Sequence, residues 1–342
     1  MRYNPQRTGG DPVVTTFMDM ASMTTPHGYE SYNWRSIPGP KMIDKYNNVH
    51  VLVGSSPIMF ACHLDTADDT PERVWFDFRK KNFIRTNGRT LLGADDKAGA
   101  AIMCHMITKR VPGHYVFHAG EEVGCIGSTK LSEHLAWDGF SGALQNGAPL
   151  PDKPKAVISF DRRGYDSIVT HQMGSRTCSD AFALDLADAL DLDHQPDPTG
   201  VWTDSVQYAP YVPECTNVSV GYFNQHSNQE EQDIDFLRLL AERCCQVDWE
   251  SLTISRDPSA FDQDDPYGYA SWFGGKPDTD QYIIDDTEKT DDLSDDAFDA
   301  LSCATDKDHA MMIMTEEGYS EKMANQLIEW HGFNFPKTKE TQ

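Results

Sequence analysis

Basic residues are scarce in this 342-residue chain: 29 Lys and Arg stand against 54 Asp and Glu, a formal net charge of −25. A surface with that balance repels phosphate backbones and anionic bilayers, which argues against nucleic acid or membrane as a partner, and it draws divalent cations. No apolar run approaches the length of a membrane span. The opening residues, Met1-Arg2-Tyr3-Asn4-Pro5, lack the apolar stretch of a secretory signal. The eight cysteines form no CxxC pair, so no disulfide framework, zinc ribbon or iron–sulfur centre is expected. Reduced thiols in a cytoplasmic protein are the simplest account of them. There is no internal repeat, no P-loop, no GxSxG elbow and no GxGxxG fingerprint.

What the chain does have is core-forming material: 39% hydrophobic residues, with frequent aromatics. Residues 11–24 predict an opening helix with Asp11 as N-cap and Pro12 at its first position. Apolar runs at 49–54, 58–62, 83–86, 115–118, 156–160, 167–171 and 216–222 predict strands, and 96–110, 126–135, 180–190 and 230–245 predict helices. Such alternation implies an α/β domain with a mixed, largely parallel central sheet flanked by helices. The character shifts near residue 250. Between Lys276 and Ala300 ten acids stand against two lysines. Residues 251–305 therefore read as an acidic Gly/Pro-containing linker. Residues 306–342 read as a small helical C-terminal appendage, with Trp330 and Phe333 as docking groups.

Five short segments place acids and histidines at the ends of predicted strands or just beyond, where open α/β sheets form ligand sites. Ala61-Cys62-His63-Leu64-Asp65 closes one strand; an imidazole ligates zinc well, and an Asp two residues on can fix its tautomer. Gly93-Ala94-Asp95-Asp96-Lys97-Ala98-Gly99 sets two acids before a helix, one to cap it and one free to bridge cations. Gly120-Glu121-Glu122-Val123-Gly124 sets two glutamates after a strand, an arrangement suited to one ligand and one general base. Ser159-Phe160-Asp161-Arg162-Arg163-Gly164 and Tyr222-Phe223-Asn224-Gln225-His226-Ser227 supply a further acid and a further imidazole. Taken singly, these read equally well as a chance triplet, a helix cap, a polar loop, a surface Asp–Arg pair and a surface histidine.

Taken in order, the series His-x-Asp, Asp, Glu-Glu, Asp, His resembles the co-catalytic dinuclear-zinc metallopeptidases. GADDKAG and GEEVG are close to peptidase T-like members. Thr203-Asp204-Ser205 followed by Ser219-Val220-Gly221-Tyr222 looks like the aminopeptidase branch. Thr25-Pro26-His27-Gly28-Tyr29-Glu30 resembles the opening turn of such enzymes, and the likeness spans residues 20–245. It implies a zinc-exopeptidase (phosphorylase/hydrolase-like) fold over residues 1–250 and two Zn2+, with Co2+ or Mn2+ as alternatives. His63 and Asp161 would hold one zinc, and Glu122 and His226 the other. Asp95 would bridge both, ahead of an Asp95–Asp96 peptide bond often cis in the family. Asp65 would orient His63. Glu121 would be the general base that activates a hydroxide shared by the zincs.

Many relatives carry an inserted lid or dimerisation domain. Here 31 residues separate His63 from Asp95 and 64 separate Asp161 from His226, too few for one. A compact catalytic domain is expected, its oligomeric state left open. The expected substrate is a peptide or small amide, cleaved by an aminopeptidase. Asp204 is a candidate for its α-amine, or else a solvent-facing loop residue. Arg162 and Arg163 could instead hold a substrate carboxylate, as a carboxypeptidase or a deacylase of N-acyl amino acids requires. A non-catalytic metal-binding interaction protein is the reading from another class, and the spare carboxylate of Glu121 argues against it.

Overall fold

The computed structural model describes residues 10–136, 139–144, 150 and 153–259. Most of the expected acidic linker (251–305) and all of the expected appendage (306–342) lie outside them. The chain opens with α1 (Pro12–Met20), where the Asp11 carboxylate accepts the N–H groups of Val13 and Val14 at 2.9 and 3.1 Å. Then come β1 (Met42–Ile43), β2 (Val49–Val53), β3 (Ile58–His63), β4 (Phe76–Asp77), β5 (Phe83–Thr86) and α2 (Ala94–Thr108). Strand β6 (Gly113–His118) leads into α3 (Ile126–Glu133). The rest is β7 (Ala156–Arg162), β8 (Ser167–Val169), β9 (His171–Gln172), β10 (Ser175–Arg176), α4 (Asp180–Leu190), β11 (Gln195–Asp197), a 3-10 segment (Asp204–Tyr208), β12 (Glu214–Ser219), β13 (Tyr222–Phe223), β14 (Glu231–Asp233) and α5 (Ile234–Cys244).

Residues His171–Arg176 and Pro198–Trp202 belong to a second unit; within it β9 pairs antiparallel with β10, and Gln172 bridges to Gly200. All other elements belong to the first unit. Its main sheet has eight strands in the order β1-β2-β6-β3-β7-β12-β8-β11. The middle block β6-β3-β7-β12 is parallel throughout, while β2 and β8 flank it antiparallel. The sheet is therefore mixed and its centre parallel, as the sequence predicts. A smaller antiparallel sheet runs β13-β14-β5-β4.

Alternation along the strands builds the core. Ile58, Phe60 and Cys62 of β3, Tyr115 and Phe117 of β6, and Ala156, Ile158 and Phe160 of β7 join one cluster with α1, α2 and α5. Helix α2 is buried from Ala94 to Ile107, which its Ala, Gly and Met content permits. At Gly99 a Cβ would lie 2.1 Å from the Phe160 carbonyl oxygen, so a glycine is what lets α2 lie against β7.

Two boundaries differ from expectation. The predicted strand at 216–222 divides at Gly221 (φ +87°), and Tyr222–Phe223 pairs into the small sheet. The predicted helix at 230–245 begins four residues late. Glu231–Asp233 pairs with β5, and the Asp233 carboxylate then caps α5 through the N–H groups of Asp235 and Phe236 at 2.9 and 3.1 Å. Cross-strand pairing claimed backbone groups that helical periodicity alone could not exclude.

Candidate metal centre

Four adjacent parallel strands must end on the same edge of their sheet. Strand β3 ends on His63, β6 runs out toward Glu121 and Glu122, β7 delivers Asp161, and the chain beyond β12 reaches His226. Asp95 enters from the start of α2. The five expected ligands converge there.

Asp95 sits at the middle. Its Oδ1 is 2.9 Å from His63 Nε2 and its Oδ2 is 3.2 Å from His226 Nε2. On one side Asp161 Oδ1 lies 3.6 Å from His63 Nε2; on the other Glu122 Oε2 lies 3.1 Å from His226 Nε2. Glu121 Oε2 reaches to 3.9 Å from His63 Nε2. The adjacent acid, Asp96, takes the capping role: its carboxylate accepts the Gly99 N–H at 3.0 Å and the His63 N–H at 3.3 Å. The Asp95–Asp96 peptide bond is cis.

Asp65 serves the site from behind. Its backbone oxygen is 3.2 Å from His63 Nδ1 and its Oδ1 is 3.5 Å away. The same carboxylate accepts the N–H groups of Gly120 and Glu121 at 3.1 Å and of Glu122 at 3.0 Å. One buried acid thus aims the imidazole and holds the loop that carries both glutamates.

The charges do not balance. Burial opposes protonation of His63 and His226, yet Asp161 around the first and Glu122 around the second drive both well above the usual imidazole value. Burial raises Glu121 well above the usual carboxylate value, although His63 pulls it down, and Asp161 rises to about 6 under burial and the Asp95 charge. Burial works against Asp95, and hydrogen bonds to His226 and His63 win, holding it ionised. Glu122 Oε1 and both oxygens of Asp204 are buried without a hydrogen-bond partner. Carboxylates this crowded and dry require protons or cations. The mixed imidazole and carboxylate donor set suits zinc and its neighbours. A cation would displace the protons that the two imidazoles otherwise attract.

The expected substrate residues are placed differently. Asp204 is 1% exposed, so it is no solvent-facing loop residue. Arg162 leaves β7 on the face opposite to Asp161 and pairs with Asp197, Nη2 to Oδ2 3.2 Å. Arg163 is half-buried at the turn after β7.

No family model matches the chain. Among curated proteins, the uncharacterized protein YqjE of Bacillus subtilis (strain 168) is 29% identical over 117 residues, covering 30% of this chain and 31% of that protein. The chain thus matches under a third of that relative's length. Among solved structures, aminopeptidase PepT from Bacillus cereus ATCC 10987 superposes with a TM-score of 0.54 at 15% identity, covering 70% of this chain and 98% of that one. A tripeptidase from Staphylococcus aureus subsp. aureus Mu50 gives 0.55 at 16%, covering 72% and 98%. An aminopeptidase from the archaeon Desulfurococcus kamchatkensis gives 0.53 at 15%, covering 70% and 95%. The fold is that of these peptidases.

Within this fold, several contributors are assigned no role by the sequence alone. Asp161 is fixed by the Thr203 hydroxyl at 2.7 Å, by the Tyr222 hydroxyl at 3.1 Å and by Asn217, which bonds its backbone N–H at 2.8 Å. Among the described residues no disulfide joins Cys62, Cys104, Cys125, Cys178, Cys215, Cys244 or Cys245. Among the described residues no helix is long and apolar enough to cross a membrane.

Proposed function

We propose that this chain is a metal-dependent peptidase of the aminopeptidase type, with a pair of divalent cations, zinc foremost, held by His63, Asp95, Glu122, Asp161 and His226. The observation that carries the reading is the division of Asp95: each of its oxygens faces a different histidine, at 2.9 and 3.2 Å, and each histidine has its own second acid. That is two nests sharing one carboxylate.

Cations bound there would act as Lewis acids on a scissile carbonyl and make water a nucleophile near neutral pH. The rest is done by the chain. Glu121 is the general base. It reaches the His63 side of the centre, and burial keeps its proton affinity high enough to take a proton from water and return it to the leaving amine. Asp65 holds the Glu121 and Glu122 backbone still while that proton moves. Thr203 and Tyr222 hold Asp161.

The test is zinc-dependent hydrolysis of a leucine anilide by the full chain, with and without chelator, beside metal analysis. Two bound cations and chelator-sensitive turnover support the proposal; two cations without turnover leave the interaction-protein reading. Free against N-acylated dipeptides then separates an aminopeptidase from a deacylase or carboxypeptidase, a choice on which the placement of Asp204 and Arg162 is silent.

A further inference from the structure

Resting on that reading of the site, we infer that Glu230 is a positioning residue that ties Asp95 to His226 and thereby sets the affinity of the cation those two ligands share. Glu230 is 1% exposed. Its Oε2 accepts the N–H groups of Leu92 and Gly93, both at 2.8 Å, and its Oε1 accepts the N–H of Asp95 at 3.0 Å. The whole carboxylate is spent on the loop that presents Asp95.

The connection closes on itself. From Glu230 it passes to the backbone of Asp95, then through the Asp95 carboxylate to His226 at 3.2 Å. From His226 it returns along four residues of chain to Glu230. Both ends of this ring need support. His226 has a left-handed backbone (φ +55°), which an L-residue adopts only at a cost. Gly93 turns at φ +67°, and a Cβ there would lie 2.7 Å from Thr66 Cγ2 and 2.9 Å from Lys97 Nζ. The Lys97 ammonium is buried without a hydrogen-bond partner, in the field of Glu230, Asp65, Glu122 and Asp95. It lies against the turn that Glu230 holds.

Glu230 touches neither substrate nor cation in this arrangement; it acts through Asp95 and His226. The experiment is a zinc titration of the full chain against a competing chelator, for wild type and Glu230→Gln. The amide keeps one acceptor oxygen and turns an N–H toward a loop that offers only donors. The expected result is unequal weakening: the equivalent on the His226 side by about 10–100-fold, and the one on the His63 side, which shares only Asp95 with it, by less. Turnover is lost at limiting zinc and restored at saturating zinc, with KM unchanged. Wild-type affinity at both equivalents overturns the inference, and so does equal weakening of both, which marks general structural damage. Should Glu230→Gln not fold, Glu230→Asp is titrated in the same way: it keeps the charge and shortens the reach, and two wild-type affinities overturn the inference again. A wild-type chain that takes up no zinc removes the parent reading and this inference with it. The two failures are told apart before any variant is made.

Discussion

Two groups of histidines lie side by side, with His63 of β3 in register with His118 of β6. Around His118 the polar atoms mostly close on each other, with His114 Nδ1 left buried without a partner. Its Nδ1 is 3.1 Å from Asn48 Oδ1 and its Nε2 is 3.2 Å from the Tyr208 hydroxyl. Asn48 donates to Asp44 at 2.7 Å, Asp44 faces His50 at 3.2 Å, and His50 meets His114 at 2.9 Å. One carboxylate serves three imidazoles, and burial holds His114 and His118 neutral, His118 down to about 3. Around His63 the ratio inverts, and acids outnumber imidazoles. Buried histidines therefore do not mark a metal centre. The mark is an excess of anionic acceptors that the chain's own donors leave unmatched.

The largest expected effect tests the anionic side. Asp95→Ala removes the carboxylate facing both histidines, so both cations and all turnover above background are lost together, as read by elemental analysis and anilide hydrolysis. Two zincs still bound would break the contrast at its centre. Next comes Glu121→Gln. It removes the base and leaves the ligand set, so metal content stays and kcat falls by about 10²–10⁴. Near-normal turnover would assign the proton to another group.

The parts of the site that could be read ahead share a physical basis. Apolar runs such as Ile58–Cys62 announce buried strands, and the ordered series of acids and histidines at their ends, not any one of them, points to a shared ligand. The pairing of a capping Asp96 with a free Asp95 follows from what a helix start requires. Contributors that act through backbone groups were not legible. Glu230 sits in the polar run Gln229-Glu230-Glu231, with nothing to announce three buried N–H partners. Asp204 reads as a loop acid because its burial comes from long-range packing of its 3-10 segment. Arg162 looks available until β11 brings Asp197 beside it. The late start of α5 has the same origin, a strand pairing invisible to local periodicity.

A moderate effect tests the matched cluster. Asp44 accepts the N–H groups of Tyr46 and Asn48 at 2.8 and 2.9 Å besides its contacts to the Asn48 and His50 side chains. Asp44→Ala strands those donors and lowers stability by about 1–3 kcal/mol. Zinc stoichiometry should not change. A denaturation midpoint equal to wild type, or a lost zinc, would erase the distinction between the two clusters.

The smallest effect is a slope against pH. In the metal-free chain His63 and His226 bind protons more tightly when folded than at the ordinary value of 6.5. Their contribution to stability is fully present below 6.5 and is lost as pH rises through the raised folded values. Burial gives Asp161, raised to about 6, and Glu121 the same sign from lower pH, since each holds a proton in the folded state that it releases when unfolded. His114 and His118, lowered by burial, act in the opposite sense below the ordinary value of 6.5, and Lys97, lowered to about 8 by burial, does so above that value. The metal-free protein should therefore lose stability as pH rises from about 6.5 toward 8, by at most about 1.4 kcal/mol per unit for each titrating group. Bound zinc replaces those protons, so the loaded protein should gain zinc affinity over the same range and lose the downward slope. Thermal melts at stepped pH, with chelator and with zinc, read both trends at once. Parallel trends in the two states would mean that the protons and the cations do not compete for the same atoms.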